Sequence, residues 1–83
     1  MVNKVFEAEK LLDETIAFAK KLASGPRIAI GMTKKILNDS ITLTLNGSLD
    51  LEAIAQAVAY STEDYQEGVQ AFFEKRKPVF KGK

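Results

Sequence analysis

The sequence contains no cysteine and no histidine. A disulfide framework is therefore impossible, and zinc sites built on thiolate or imidazole ligands are excluded. Nucleophilic catalysis with a histidine base is excluded as well. The glycine-rich phosphate-binding patterns GxGxxG and GxxxxGK(S/T) are also missing, which removes the standard nucleotide-binding loops. We expect neither a structural metal nor a complete catalytic centre of these kinds.

Long apolar stretches are absent too. No run approaches the ~20 apolar residues that a membrane-spanning helix needs. The N-terminal segment is interrupted by Glu7, Glu9, Asp13 and Glu14, which does not fit a secretory signal peptide. These absences predict a soluble, cytoplasmic protein without a membrane partner.

The remaining composition is that of one small globular unit. The chain has 83 residues, of which 46% are hydrophobic and 28% charged, so a packed core is expected rather than disorder. A chain this short buries only about 60 to 65% of its unfolded surface, which leaves its stability marginal. Partners are therefore expected to contribute.

The charges are unevenly distributed, although the net charge is only +1. Residues 36–74 contain seven acids and no lysine or arginine, whereas residues 75–83 contain five bases and no acid. Such a basic tail can meet phosphate groups, but charge runs at chain ends are more often solvated.

Apolar spacing predicts three or four short helices. The first ends at Ser24-Gly25-Pro26, where glycine suits a left-handed cap and proline can open the second helix. Ser48 is a good N-cap for a third helix that ends near Tyr60. Ser61 and Thr62 offer caps for a fourth helix, which continues past Phe72 to Arg76 and is stopped by Pro78.

Two segments carry strand-like alternation. Residues 2–6 resemble the end of a strand, and residues 41–45 alternate in the same way between helical neighbours. Because a lone strand has no pairing partner, we expect residues 37–47 to be helical or irregular.

The fourth helix holds the main candidates for catalytic or ligand-binding side chains. Glu63, Asp64 and Glu67 can be read as an acid–base pair, but acids in a first helical turn are more simply explained by capping and the helix dipole. Phe72 shares a stripe with Tyr65 and Val69, and this spacing favours a core position over a ligand contact. The bases that follow suit a helix C-terminus or a phosphate.

Residues 61–82, STEDYQEGVQAFFEKRKPVFKG, resemble the closing motif of the enoyl-CoA hydratase (crotonase) family. The rest of the chain agrees in order with that family. Three further stretches are similar to the exit of the last core strand and to the two helices after it: Val2–Val5, Leu11–Leu12 together with Ala17–Pro26, and Met32–Lys35.

The resemblance implies an all-α fold, the C-terminal helical segment of a crotonase-like protein without its spiral core, over residues 1–83. In the family, the core supplies the oxyanion hole and the catalytic glutamates, so no catalytic residue is assigned here and the chain alone is expected to be inactive. The helical segment is implied to pack between subunits of a trimer or hexamer and to close over the acyl-CoA site. Phe72 and Lys75 are implied to touch the adenine and the 3′-phosphate of coenzyme A.

No separate cofactor is expected, because coenzyme A enters as part of the thioester substrate. The implied reaction of the whole protein is hydration of 2-enoyl-CoA thioesters in fatty-acid oxidation. Self-association into a homo-oligomer is expected, with acyl-CoA bound only in the full-length assembly.

Two alternatives are compatible with the residues alone. A free-standing helical module could bind another protein through apolar stripes left over on its helices. A small nucleic-acid binder could use the second helix, the third helix and the basic tail, but the acidic middle of the chain argues against it, and we expect no nucleic-acid partner.

Overall fold

Residues 2–83 are described by a computed structural model, and they form four helices. The helices are α1 (Ala8–Ala23), α2 (Arg27–Asp39), α3 (Leu45–Tyr60) and α4 (Glu63–Phe73). No strand occurs in this part of the chain, so the predicted all-α fold is confirmed. The alternating residues 2–6 do not form a strand, since a strand needs a neighbour with which to pair its backbone groups.

Helix α3 begins earlier than the sequence predicted. Helix α3 is capped by Thr44, whose hydroxyl oxygen accepts a 3.2 Å hydrogen bond from the Gly47 amide. The expected cap, Ser48, therefore lies inside the helix, and the strand-like alternation of residues 41–45 is divided between a turn and the start of α3. The expectation that residues 37–47 are helical or irregular is confirmed.

The turn between α1 and α2 does not use the left-handed glycine that was predicted. Gly82 is the glycine with a positive φ among residues 2–83, and α1 ends instead at Ser24 in a right-handed conformation. A Cβ atom at Gly25 would lie only 2.8 Å from Ile30 Cδ1. It would also lie 3.2 Å from the Leu22 carbonyl oxygen, so a larger residue at position 25 would require the end of the Ile30 side chain to move.

The helices are arranged in an open layer. Within residues 2–83, α2 packs mainly against α3, while α1 contacts only α2 and α4 contacts only α3. The Cα atoms span 42 × 40 × 18 Å, and the radius of gyration is 15.7 Å, compared with about 12 Å for a compact chain of this length. The fold is therefore flattened and open, and it encloses almost no core.

The buried apolar side chains of the described part are two alanines, Ala55 and Ala71. Accessible surface amounts to 7058 Å², whereas a compact monomeric protein of 9.2 kDa exposes about 4,900 Å². Helix α1 buries none of its residues, although its large apolar side chains share one face: Leu11, Leu12, Ile16, Phe18 and Leu22. None of the helices in residues 2–83 has both the length and the apolar character to cross a membrane.

Candidate functional site

The two residues proposed to contact coenzyme A, Phe72 and Lys75, lie on either side of the end of α4. The helix ends at Phe73 and not near Pro78. Lys75 has a φ of +53°, in the left-handed region, so it does not continue the helix. A helix that continued to Arg76, as the sequence predicted, would place Phe72 and Lys75 on neighbouring positions of one face. This expectation is wrong, because α4 ends at Phe73 and Lys75 adopts a left-handed backbone conformation.

Backbone hydrogen bonds define this turn. The Lys75 amide donates to the Phe72 carbonyl at 3.2 Å, and the Arg76 amide donates to the Ala71 carbonyl at 3.0 Å. This pair of bonds is the Schellman motif, which usually places glycine at the left-handed position because a Cβ atom is disfavoured there. Here that position is occupied by Lys75.

Phe72 is exposed and does not lie in the core that its spacing favoured. Its side chain is 79% accessible and touches the Phe73 ring in an edge arrangement, with 5.9 Å between the ring centroids. The buried side of α4 is instead occupied by Asp64 and Ala71. Within the predicted stripe, Tyr65 packs against the Tyr60 ring of α3 with 4.7 Å between the centroids, whereas Phe72 at the other end stays uncovered.

Arg76 is the centre of an ion-pair network beside Lys75. Its guanidinium group makes two bonds to the Glu67 carboxylate, at 2.6 and 2.9 Å, and its Nε atom donates to Glu74. The Val79 amide donates to Glu67 Oε1 at 2.8 Å. The Arg76 and Val79 bonds lower the pKa of Glu67 to about 2, and the same network raises the pKa of Arg76.

Asp64 holds the C-terminal tail against the start of α4. The Lys81 amide donates to Asp64 Oδ1 at 2.6 Å, and the Gly82 amide donates to Asp64 Oδ2 at 2.8 Å. The Asp64 amide in turn donates to the Lys83 carbonyl at 3.0 Å. A side chain that is only 3% exposed therefore has both carboxylate oxygens occupied by backbone donors.

The acids of α4 were expected to serve capping and the helix dipole, and this interpretation is incomplete. The cap is Thr62, one of the two candidates that the sequence offered, and its hydroxyl oxygen accepts from the Tyr65 amide at 3.1 Å. Asp64 and Glu67 instead bind the tail, while Glu63 is exposed. The sequence offered no local signal of this role, because the partners lie 12 to 18 positions away.

An open apolar groove of about 500 Å³ lies along α4, bordered by the exposed phenylalanines. Its walls include Pro26, Ala29, Tyr65, Val69, Phe73 and Phe80. Its lining offers few polar groups, which suits an apolar or aromatic contact better than acid–base chemistry. Residues 2–83 contain no cluster of three or more potential metal-ligating side chains.

A family model described as enoyl-CoA hydratase/isomerase matches residues 1–83. The chain is 41% identical to the 1,2-epoxyphenylacetyl-CoA isomerase of Escherichia coli K12, covering all of this chain and 32% of that protein. It is 34% identical to the crotonyl-CoA hydratase of Syntrophomonas wolfei, covering 96% and 31%. An enoyl-CoA hydratase structure from Geobacillus kaustophilus superposes with a TM-score of 0.92 at 33% identity, covering 99% and 31%. The chain thus spans about a third of the length of these relatives.

Proposed function

The chain belongs to the enoyl-CoA hydratase/isomerase family, and from this premise we propose that it serves as the C-terminal helical segment of an acyl-CoA enzyme. Its role is to assist oligomer assembly and to form part of the acyl-CoA site. The names of the similar proteins cover an isomerase, a hydratase and a methylmalonyl-CoA decarboxylase. Their reactions differ, but all three names include a coenzyme A thioester. A segment that is similar in all three is therefore better explained by binding of the shared ligand than by one particular reaction.

Assembly is supported by the surface that the four helices leave uncovered. The accessible area exceeds that of a compact monomer of equal mass by about 2,000 Å². A standard protein interface buries about 800 Å² on each partner. The excess area is larger than one such contact, and helix α1, which buries none of its residues, presents apolar side chains that a partner can cover.

The acyl-CoA contact is supported by the exposure of Phe72, which is the observation that carries this proposal. A phenylalanine ring that is mostly exposed at the end of a helix can stack on a planar base. Lys75 follows within one turn and presents an ammonium group that can pair with a phosphate. Adenine and a phosphate lie close together in coenzyme A, so one ligand can use both residues.

The reaction that we propose for the whole protein is hydration of a 2-enoyl-CoA thioester, as in fatty-acid oxidation. Water adds across the 2,3 double bond, with its hydroxyl group going to C3 and a proton to C2. Negative charge develops on the thioester oxygen and requires preorganised N–H donors. We assign none of these steps to residues of this chain, which alone should show no turnover.

The lysine contact can be tested in the full-length protein that carries this chain. Lys75→Ala should raise KM for a 2-enoyl-CoA thioester by up to about fivefold, since an exposed ion pair contributes roughly 1 kcal/mol or less. The value of kcat should change little, because a remote contact is equally strong in the ground and transition states. With the dephospho-CoA thioester, which lacks the 3′-phosphate, most of the penalty should disappear. An equal penalty on both substrates would show that Lys75 does not bind this phosphate.

A further inference from the structure

Lys75 occupies a backbone conformation that lysine disfavours. Its φ of +53° is the only positive value at a non-glycine residue in the described chain. Glycine would make the same Schellman hydrogen bonds without placing a Cβ atom in the left-handed region. A lysine here is therefore a poor choice for the stability of the turn, and such conformations persist only when surrounding contacts enforce them.

Those contacts come from the residues on both sides of Lys75. The Arg76 guanidinium pairs with Glu74, the residue immediately before Lys75, so one ion pair spans the strained position. The same guanidinium is anchored by two bonds to Glu67, about two and a half turns back along the chain. Glu67 also accepts the Val79 amide and thereby fixes the segment that follows the turn.

The same ion pairs also affect whether the Lys75 ammonium group is free to bind a ligand. Glu67 and Glu74 lie near the turn and could each attract a lysine ammonium group. Arg76 engages both carboxylates with its planar donor fork, a geometry that lysine cannot reproduce. Lys75 takes part in none of the ion pairs found within residues 2–83. Its side chain is exposed, and its backbone lies in the left-handed region between two residues of the network.

We propose that Glu67, acting through Arg76, is a positioning residue that presets Lys75 for the 3′-phosphate of coenzyme A. This inference rests on the phosphate role of Lys75 given under the proposed function. Glu67 itself touches no substrate. It restricts the direction of the Lys75 side chain and keeps nearby carboxylates from pairing with its ammonium group, so less ordering remains to be done on binding.

The test compares KM and kcat for a 2-enoyl-CoA thioester and its dephospho form in the full-length protein. Glu67→Gln keeps the size of the side chain but removes the charge that pairs with Arg76. It should raise KM for the CoA thioester by about two- to fivefold, the scale of one exposed ion pair, and leave kcat unchanged. With the dephospho substrate it should have no effect. Glu63→Gln, an exposed acid of the same helix, is the matched control and should leave both substrates unaffected.

The double variant separates positioning from a purely structural role. If Glu67 acts through Lys75, Glu67→Gln should not raise KM further in a Lys75→Ala background. An equal rise on both substrates, or full additivity with Lys75→Ala, overturns the positioning role even if Lys75→Ala alone remains phosphate-specific. If Lys75→Ala is not phosphate-specific, the proposed phosphate contact itself fails, and the positioning role fails with it.

A second variant keeps the proposal testable if Glu67→Gln does not fold. Arg76→Lys preserves the positive charge but loses the two-pronged contact to Glu67 and the simultaneous contact to Glu74. It should produce the same phosphate-specific rise in KM, of about two- to fivefold. A normal KM in Arg76→Lys, at unchanged kcat, overturns the proposal, because the guanidinium contacts to Glu67 and Glu74 would then not be needed to position Lys75.

Discussion

The Gly82 amide donates a 2.8 Å hydrogen bond to the Asp64 carboxylate, eighteen positions earlier in the chain. Together with the Lys81 amide at 2.6 Å, it fixes the end of the tail beside the first turn of α4. A carboxylate suits this place because it accepts at both oxygens and donates at neither. The tail is therefore held by one buried side chain at its end and by Glu67 nearer its start.

Asp64→Asn should release this tail. The asparagine amide group cannot accept at its nitrogen, so one backbone N–H is left facing another donor, at a cost of about 1 to 3 kcal/mol in the free energy of unfolding. Urea unfolding followed by circular dichroism measures the loss, and amide exchange at Lys81 and Gly82 reports it locally. Glu63→Gln serves as the neutral control. If Asp64→Asn is as stable as this control, the two amide bonds do not hold the tail.

Stability should also depend on pH through Glu67. The pKa of this carboxyl is lowered from 4.5 to about 2 by the Arg76 and Val79 bonds, so the folded state favours the ionised form. The contribution is fully present above pH 4.5 and is lost as the pH falls toward 2. Wild type should therefore melt above Glu67→Gln at neutral pH, and the gap between their Tm values should close in this acidic window. A gap that stays constant down to pH 2 would contradict the ion-pair origin of the effect.

How far the sequence could predict this fold depends on whether the deciding contact was local. Apolar spacing predicts three or four helices, and Ser61 and Thr62 are both local candidates for the cap of α4. The structure selects Thr62, whose hydroxyl oxygen accepts from the amide three positions later. The start of α3 was misplaced because Thr44 and Ser48 carry the same chemical signal. The two residues differ in their distance from the preceding turn, in which the Thr42 amide donates a hydrogen bond to the Asp39 carbonyl. Because that turn ends just before Thr44, Thr44 is the residue that caps α3.

The candidate site was harder to predict for the same reason. Lys75 carries no sign that it adopts a left-handed conformation, since glycine is the usual signal and is absent from this turn. Phe72 has the spacing of a core residue. It is exposed because, within residues 2–83, the only helix that contacts α4 is α3. The tail contacts of Asp64 and Glu67 join residues far apart in sequence, which periodicity does not detect.

Lys75→Gly should stabilise the chain. Glycine removes the strain of a Cβ atom in the left-handed region, which costs about 1 kcal/mol, while keeping both Schellman hydrogen bonds. Lys75→Ala is the matched comparison, because it removes the ammonium group but retains the Cβ atom. Urea unfolding should rank Gly above Ala by about 1 kcal/mol, with Ala close to wild type. Equal stability of the two variants would show that position 75 is not strained in solution.

The isolated chain should self-associate. Its accessible surface exceeds that of a compact monomer of equal mass by about 2,000 Å², and the large apolar side chains of α1 are exposed. Ile16→Glu should weaken association by about threefold or more, since Ile16 is 44% exposed and burying that part contributes about 0.7 to 1.3 kcal/mol. Lys21→Gln changes the net charge by the same amount on the other side of α1 and should have little effect. Sedimentation velocity distinguishes these outcomes, and a compact monomer at high concentration would contradict the prediction.

Coenzyme A binding by the isolated chain should be very weak. Stacking of Phe72 on adenine contributes about 1 to 3 kcal/mol, and an exposed pair between Lys75 and a phosphate contributes about 1 kcal/mol or less. Their sum of at most about 4 kcal/mol corresponds to a Kd near 1 mM, before the loss of translational and rotational freedom is subtracted. A Lys75 side chain that is already oriented loses less conformational entropy on binding, but this adds no further contact to the ligand. An NMR titration should therefore show either no shifts or unsaturated shifts confined to the end of α4, and dephospho-CoA should give smaller ones. A micromolar Kd would show that these two residues are not the whole site and that further groups of this chain bind the ligand.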